Sequence, residues 1–93
     1  MFLSITTSEL EGKLDVYEIL DVRDADDFSA RHIEGATNIP ISELEENVNT
    51  LSKEKVYAVI CYAGGRSQRA TEFLDSQGFQ VTNVSGGMNE WSK

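Results

Sequence analysis

One stretch limits the possible folds more than any other. Val56-Tyr57-Ala58-Val59-Ile60-Cys61 is apolar on both of its alternating faces. A half-solvated antiparallel strand alternates apolar with polar residues, whereas a strand covered by helices on both sides does not. The run therefore reads as the central strand of a parallel sheet. After it come a glycine-containing loop, Tyr62 to Gly65, and a helix from Ser67 to Gln77. Ala70, Phe73 and Leu74 share one face of that helix, and Gly78 is its expected stop.

The remaining chain keeps switching between the two periods. Thr6-Thr7-Ser8-Glu9 puts hydroxyls three residues ahead of an acid, which predicts a short helix to about Glu11, stopped by Gly12. Tyr17 to Val22 reads as a strand, and Ala25 to Arg31 as a short helix anchored inward by Phe28. Gly35 marks a turn, Asn38-Ile39-Pro40 an extended piece, and Ser42 with Glu45 a capping box leading a helix to about Val48. Phe79 to Val84 is a further strand, and Gly86-Gly87 turns the chain into a last short helix carrying Trp91. Alternating strands and helices predict an α/β fold, a mainly parallel central sheet flanked by helices on both faces, with right-handed crossovers. The length, 93 residues, has room for one core, so residues 1–93 are expected to form a single domain.

Charge and cysteine usage exclude several function classes. Sixteen acidic residues face eight basic ones, giving a net charge of −8, and no basic stripe is present. Nucleic acid and anionic membrane surfaces are thereby disfavoured as partners. The longest apolar run, Val56 to Ala63, has eight residues, far too few to span a bilayer. The N-terminal Met1-Phe2-Leu3-Ser4-Ile5-Thr6 lacks the pattern of a secretory signal, so a reducing cytoplasm is the expected location. Asn83-Val84-Ser85 matches a glycosylation sequon, which carries no meaning without export. A single cysteine can form neither a disulfide framework nor a cysteine-based zinc site.

That cysteine is well placed for chemistry. Ligands of parallel sheets bind beyond the carboxyl ends of the strands, and Cys61 ends the central strand ahead of Tyr62-Ala63-Gly64-Gly65-Arg66-Ser67. A strand, a tight loop and a helix N-terminus can aim several backbone N–H groups at one anion. Gly64 and Gly65 are expected to supply positive φ angles, and Arg66 a full positive charge. A sulfur at that focus should ionise readily and act as a nucleophile. The acidic surface opposes an anionic substrate, but charges beyond about 8 Å are screened at physiological salt, so the local donors should prevail. The blander alternative is a small buried side chain closing a strand. Glycines serve any turn, and Arg66 could simply pair with a carboxylate.

Taken together these residues resemble the rhodanese family of sulfurtransferases in its single-domain form. Leu20-Asp21-Val22-Arg23 is similar to the family's strand end, and His32-Ile33-Glu34-Gly35-Ala36 with Asn38-Ile39-Pro40 to its second signature. Cys61 to Arg66 resembles its six-residue active loop, and Gly86-Gly87 with Trp91 its C-terminal signature. Arg31 stands where the family often has glycine. The resemblance implies that Cys61 takes sulfane sulfur from thiosulfate or a persulfide donor and passes it to a thiol or cyanide. It implies that the backbone N–H groups of Tyr62, Ala63, Gly64, Gly65, Arg66 and Ser67 hold the persulfide, and that no metal or organic cofactor takes part. It implies that Asp21 braces the loop, with Arg23 beside it as a supporting residue. Arg23 is expected to pair with nearby acids, and His32 and Trp91 to serve the structure. Arg69 either adds positive potential at the mouth or is solvated.

Three alternatives stay open. Cysteine phosphatases and arsenate reductases have five residues between cysteine and arginine; four lie between Cys61 and Arg66, a tighter ring better suited to one sulfur. A regulatory docking module would typically have lost the cysteine, which is present. Donor or acceptor could also be a protein, such as a protein persulfide or a thioredoxin-like acceptor. With no second thiol in the chain, the acceptor must come from outside. A monomer is the expected state.

Overall fold

The computed structural model describes residues 3–91. Its elements run β1 (Leu3–Thr6), α1 (Thr7–Glu11), β2 (Glu18–Asp21), α2 (Ala25–Ala30), β3 (Thr37–Asn38), α3 (Leu44–Asn47), β4 (Val56–Ile60), α4 (Gly65–Ser76), β5 (Gln80–Ser85) and α5 (Gly87–Glu90). The strands form one sheet in the order β1-β5-β4-β2-β3, with every pairing parallel. The apolar run is thus the middle strand, as its two-faced pattern requires.

The alternation along β4 divides the core in two. Tyr57, Val59 and Cys61 face Leu20, Val22 and Val81, with Ala70 and Leu74 of α4 above them. Ala58 and Ile60 face Ile19 and Val84, covered by Leu10 of α1 and by Ile33, Met88 and Trp91. Trp91 is a packing residue in this layer, as expected. Among the described residues no helix is long and apolar enough to cross a membrane.

Several local expectations meet corrections. The capping box at α1 forms as read: Thr6 Oγ1 accepts from the Glu9 N–H and Glu9 Oε1 from the Thr6 N–H. Gly12 follows that helix in right-handed geometry rather than the left-handed form of a glycine stop. Ser42 caps nothing. It lies inside a 3₁₀ turn, Ile41–Glu43, that runs into α3. Pro40 directly ahead and the short spacing wind this segment tightly, leaving no exposed N-cap position for the hydroxyl. Phe28 is only half buried and stacks on the His32 ring at 3.9 Å, so α2 buries no residue fully. Helix α4 begins at Gly65, two residues early. Strand β1 escaped the sequence because four edge residues, of which only Ile5 is half buried, carry almost no pattern.

Candidate active site

Cys61 follows β4 directly and is 2% exposed. Its sulfur accepts hydrogen bonds from the Gly64 N–H at 3.1 Å and the Ser67 N–H at 3.3 Å. Gly64 makes this possible with φ +108°, the left-handed region that an L-residue rarely enters. Gly65, expected to share that role, has ordinary helical geometry and is the first residue of α4. The sulfur therefore lies at the N-terminus of a 12-residue helix, where unpaired N–H groups and the helix dipole favour negative charge.

Burial pushes the Cys61 thiol up. The Ser67 hydroxyl and the backbone N–H groups of Ser67, Gly64 and Ala63 more than reverse this, leaving it below its ordinary value. Arg66 is not among those causes. With Arg69, Tyr62, Ala63, Gly65 and Gln68 it lines an open depression of about 620 Å³ that reaches Cys61. Both arginines are exposed. An anion entering there meets two cations on an otherwise acidic protein.

The loop is held from behind by α5. Met88 N–H donates to the Cys61 carbonyl at 2.7 Å, and Asn89 N–H to the Tyr62 carbonyl at 2.9 Å. With these carbonyls tied back, the Gly64 and Ser67 N–H groups are left to face the sulfur, while no such bond joins it to the N–H of Tyr62, Gly65 or Arg66. A side chain at Gly87 would collide with both carbonyls, so the second glycine of the pair is required by close approach as well as by its φ of +55°. Arg31 in turn fastens the far end of α5, donating to the Met88 carbonyl at 3.2 Å and to that of Trp91. A glycine there could make neither bond.

On the β2 side, Asp21 and Arg23 form a buried ion pair of 2.8 Å, 0% and 2% exposed. The Asp21 carboxylate takes the Arg23 backbone N–H and both Nε and Nη2. It reaches the loop only through Arg23, whose guanidinium lies 5.1 Å from the Tyr62 ring centre. The Tyr62 phenol is held above its ordinary pKa by a hydrogen bond to Asp27. His32 lies apart: its Nδ1 meets the Phe28 carbonyl at 2.7 Å, and it lines a separate depression with Ile33 and Trp91.

On the β5 side the sequence reading missed Asn83. Ser67, fully buried, places its Oγ 3.3 Å from the Cys61 sulfur and 2.6 Å from Asn83 Oδ1. Asn83 is 4% exposed, so its sequon is unavailable in the folded chain. The signal was an amide between the core residues Val81 and Val84 of an interior strand, where a buried polar group needs a partner. Among the described residues no cluster of three or more His, Cys, Asp or Glu could hold a metal ion.

The profile of the Rhodanese-like domain family matches residues 6–93. Thiosulfate sulfurtransferase GlpE of Coxiella burnetii is 38% identical over 84 residues, spanning 89% of this chain and 78% of its own. The crystal structure of a rhodanese-related protein from Thermoplasma volcanium is 40% identical and superposes with a TM-score of 0.94 over 97% of this chain and 90% of that one. Human single-domain sulfurtransferase TSTD1 is 28% identical, with a TM-score of 0.84 over 95% and 93%.

Proposed function

The chain belongs to the Rhodanese-like domain family of sulfurtransferases, and on that premise we propose that it moves sulfane sulfur through a persulfide on Cys61. The Cys61 thiolate attacks the outer sulfur of thiosulfate. The S–S bond of the donor breaks, sulfite leaves with the bonding pair, and Cys61 carries one extra sulfur. A thiolate or cyanide from outside then attacks that sulfur and returns the Cys61 thiolate. A small persulfide, or one on a protein, can serve as donor in the same step, and a thioredoxin-like protein as thiol acceptor.

One observation carries the reading. The Cys61 sulfur sits at the focus of the Gly64 and Ser67 N–H groups at 3.1 and 3.3 Å. These donors suit both the attacking thiolate and the anionic persulfide that follows. Arg66 and Arg69 at the mouth suit an anionic donor. The four-residue spacing to Arg66 favours a single sulfur over a tetrahedral phosphate. We place the protein in the cytoplasm, where free thiols are plentiful.

Intact mass spectrometry tests this. Thiosulfate should add one sulfur, about 32 mass units, lost on cyanide and never gained by Cys61→Ser. If neither thiosulfate nor a small persulfide adds sulfur, or if Cys61→Ser still gains it, the reading fails.

A further inference from the structure

The buried contacts behind Cys61 form a chain with a direction. The Cys61 S–H donates to Ser67 Oγ at 3.3 Å, and the Ser67 O–H is directed at Asn83 Oδ1, 2.6 Å away. The Gly64 carbonyl is a second acceptor for the same hydroxyl at 3.1 Å. Ser67 has only one proton to give. While that proton goes to Asn83 or Gly64, Ser67 shows the sulfur a lone pair. That suits a thiol and repels a thiolate.

We propose that Asn83 is a positioning residue whose carboxamide orientation decides whether Ser67 turns a lone pair or a proton toward the Cys61 sulfur. Turning the carboxamide about its last side-chain bond exchanges Oδ1 for Nδ2. Asn83 then donates to Ser67 Oγ, and the Ser67 proton is released to point at the sulfur. The chain runs from sulfur to Asn83 in the thiol and from Asn83 to sulfur in the thiolate or persulfide. The thiol proton leaves to water, and Ser67 keeps its own. An asparagine can hold both ends of this exchange because its two terminal atoms differ as donor and acceptor while matching in shape. Aspartate has no donor to offer and would lock the first direction.

Other charges facing this site are the exposed Arg66 and Arg69 on α4, the Asp21–Arg23 pair after β2, and Glu90 on α5, whose carboxylate packs against Gly86. None of them touches Ser67 or Asn83. The Gly64 and Ser67 N–H groups serve the sulfur in both states.

The inference rests on sulfur being the reacting atom, but its test does not use sulfur transfer, so each can fail alone. The pH midpoint of Cys61 alkylation by iodoacetamide is measured in Asn83→Asp, Asn83→Leu, Ser67→Ala and Ser67→Ala/Asn83→Asp. Asn83→Asp should raise the midpoint by about one pH unit, a roughly tenfold loss of thiolate below it. That rise should vanish in the Ser67→Ala background. Asn83→Leu removes the nearer acceptor, leaving the hydroxyl to choose between the Gly64 carbonyl and the sulfur, and should leave the midpoint near that of the unsubstituted protein. A rise that persists without Ser67 is through-space charge and overturns the proposal. So does an Asn83→Leu midpoint raised as far as Asn83→Asp. In the unsubstituted protein, the Asn83 side-chain N–H signals in a heteronuclear NMR titration should shift with the Cys61 midpoint. Signals that stay still through it also overturn the proposal, whether or not the variants fold.

Discussion

Two buried polar clusters flank the end of β4, and they are built in opposite ways. On the β2 side, Asp21 and Arg23 are a full ion pair closed at 2.8 Å, with both carboxylate oxygens accepting from the Arg23 guanidinium and one also from its backbone N–H. On the β5 side, Ser67 and Asn83 are neutral and share one proton among three acceptors, counting the sulfur. The charged cluster has a single low-energy arrangement. The neutral one has two of similar shape. Rigid support thus stands on the side of Tyr62, whose ring Arg23 meets, and adaptable support on the side of the sulfur, whose charge must change. Buried charges are held in place because an unpaired one is so costly, whereas an amide and a hydroxyl can exchange roles at small cost.

The largest expected effect tests the rigid half. Asp21→Ala leaves the Arg23 guanidinium buried without its partner and should cost about 3–5 kcal/mol, a large part of the stability of a domain this size. Removing both charges with Asp21→Leu/Arg23→Met should recover most of that loss in urea unfolding. A single variant that unfolds like the unsubstituted protein would show that water reaches Arg23, and the contrast between the clusters would collapse.

Ser67→Ala probes the adaptable half and should disturb stability less, by about 1–3 kcal/mol, because it strands neutral groups only. Its larger effect is chemical. The hydroxyl is the first of the groups that hold the thiol down. Its loss should move the alkylation midpoint upward and slow sulfur loading at neutral pH. An unmoved midpoint with slower loading would assign Ser67 to substrate contact instead.

The two clusters were unequally legible in the sequence. Arg23 was expected to pair with nearby acids, and the acid it meets is Asp21, two residues before it at the same strand end. The loop and its cysteine were equally plain, but which glycine of the pair is left-handed was not: Gly64 is, and Gly65 opens the helix. Asn83 was not plain, since its partner lies 16 residues away across the strand–helix crossover and only the fold joins them. Register makes the link visible in retrospect: Asn83 is paired with Val59, two residues before Cys61 and on the same face. Arg31 was hidden for a similar reason. Its partners, the Met88 and Trp91 carbonyls, are backbone atoms some 60 residues on, and a backbone carbonyl leaves no trace in residue identity. The failed capping box at Ser42 is the converse case, a local signal overridden by the turn that Pro40 begins.

The smallest expected effect is a pH dependence of stability, and only one of the two clusters should control it. The folded state holds the Cys61 thiol below its ordinary value. A depressed group stabilises the fold most above its unfolded-state value and loses that contribution as pH falls through the folded-state value. Unfolding free energy should therefore rise with pH between those two values in the unsubstituted protein, relative to Cys61→Ser. The comparison with Cys61→Ser cancels lysines and tyrosines that titrate at similar pH. Ser67→Ala should flatten the rise, because it brings the two values closer, whereas Asp21→Leu/Arg23→Met should leave it intact. If the ionic pair's removal flattens it instead, then Arg23 rather than Ser67 governs the sulfur's charge, and the β2 side is the chemical one.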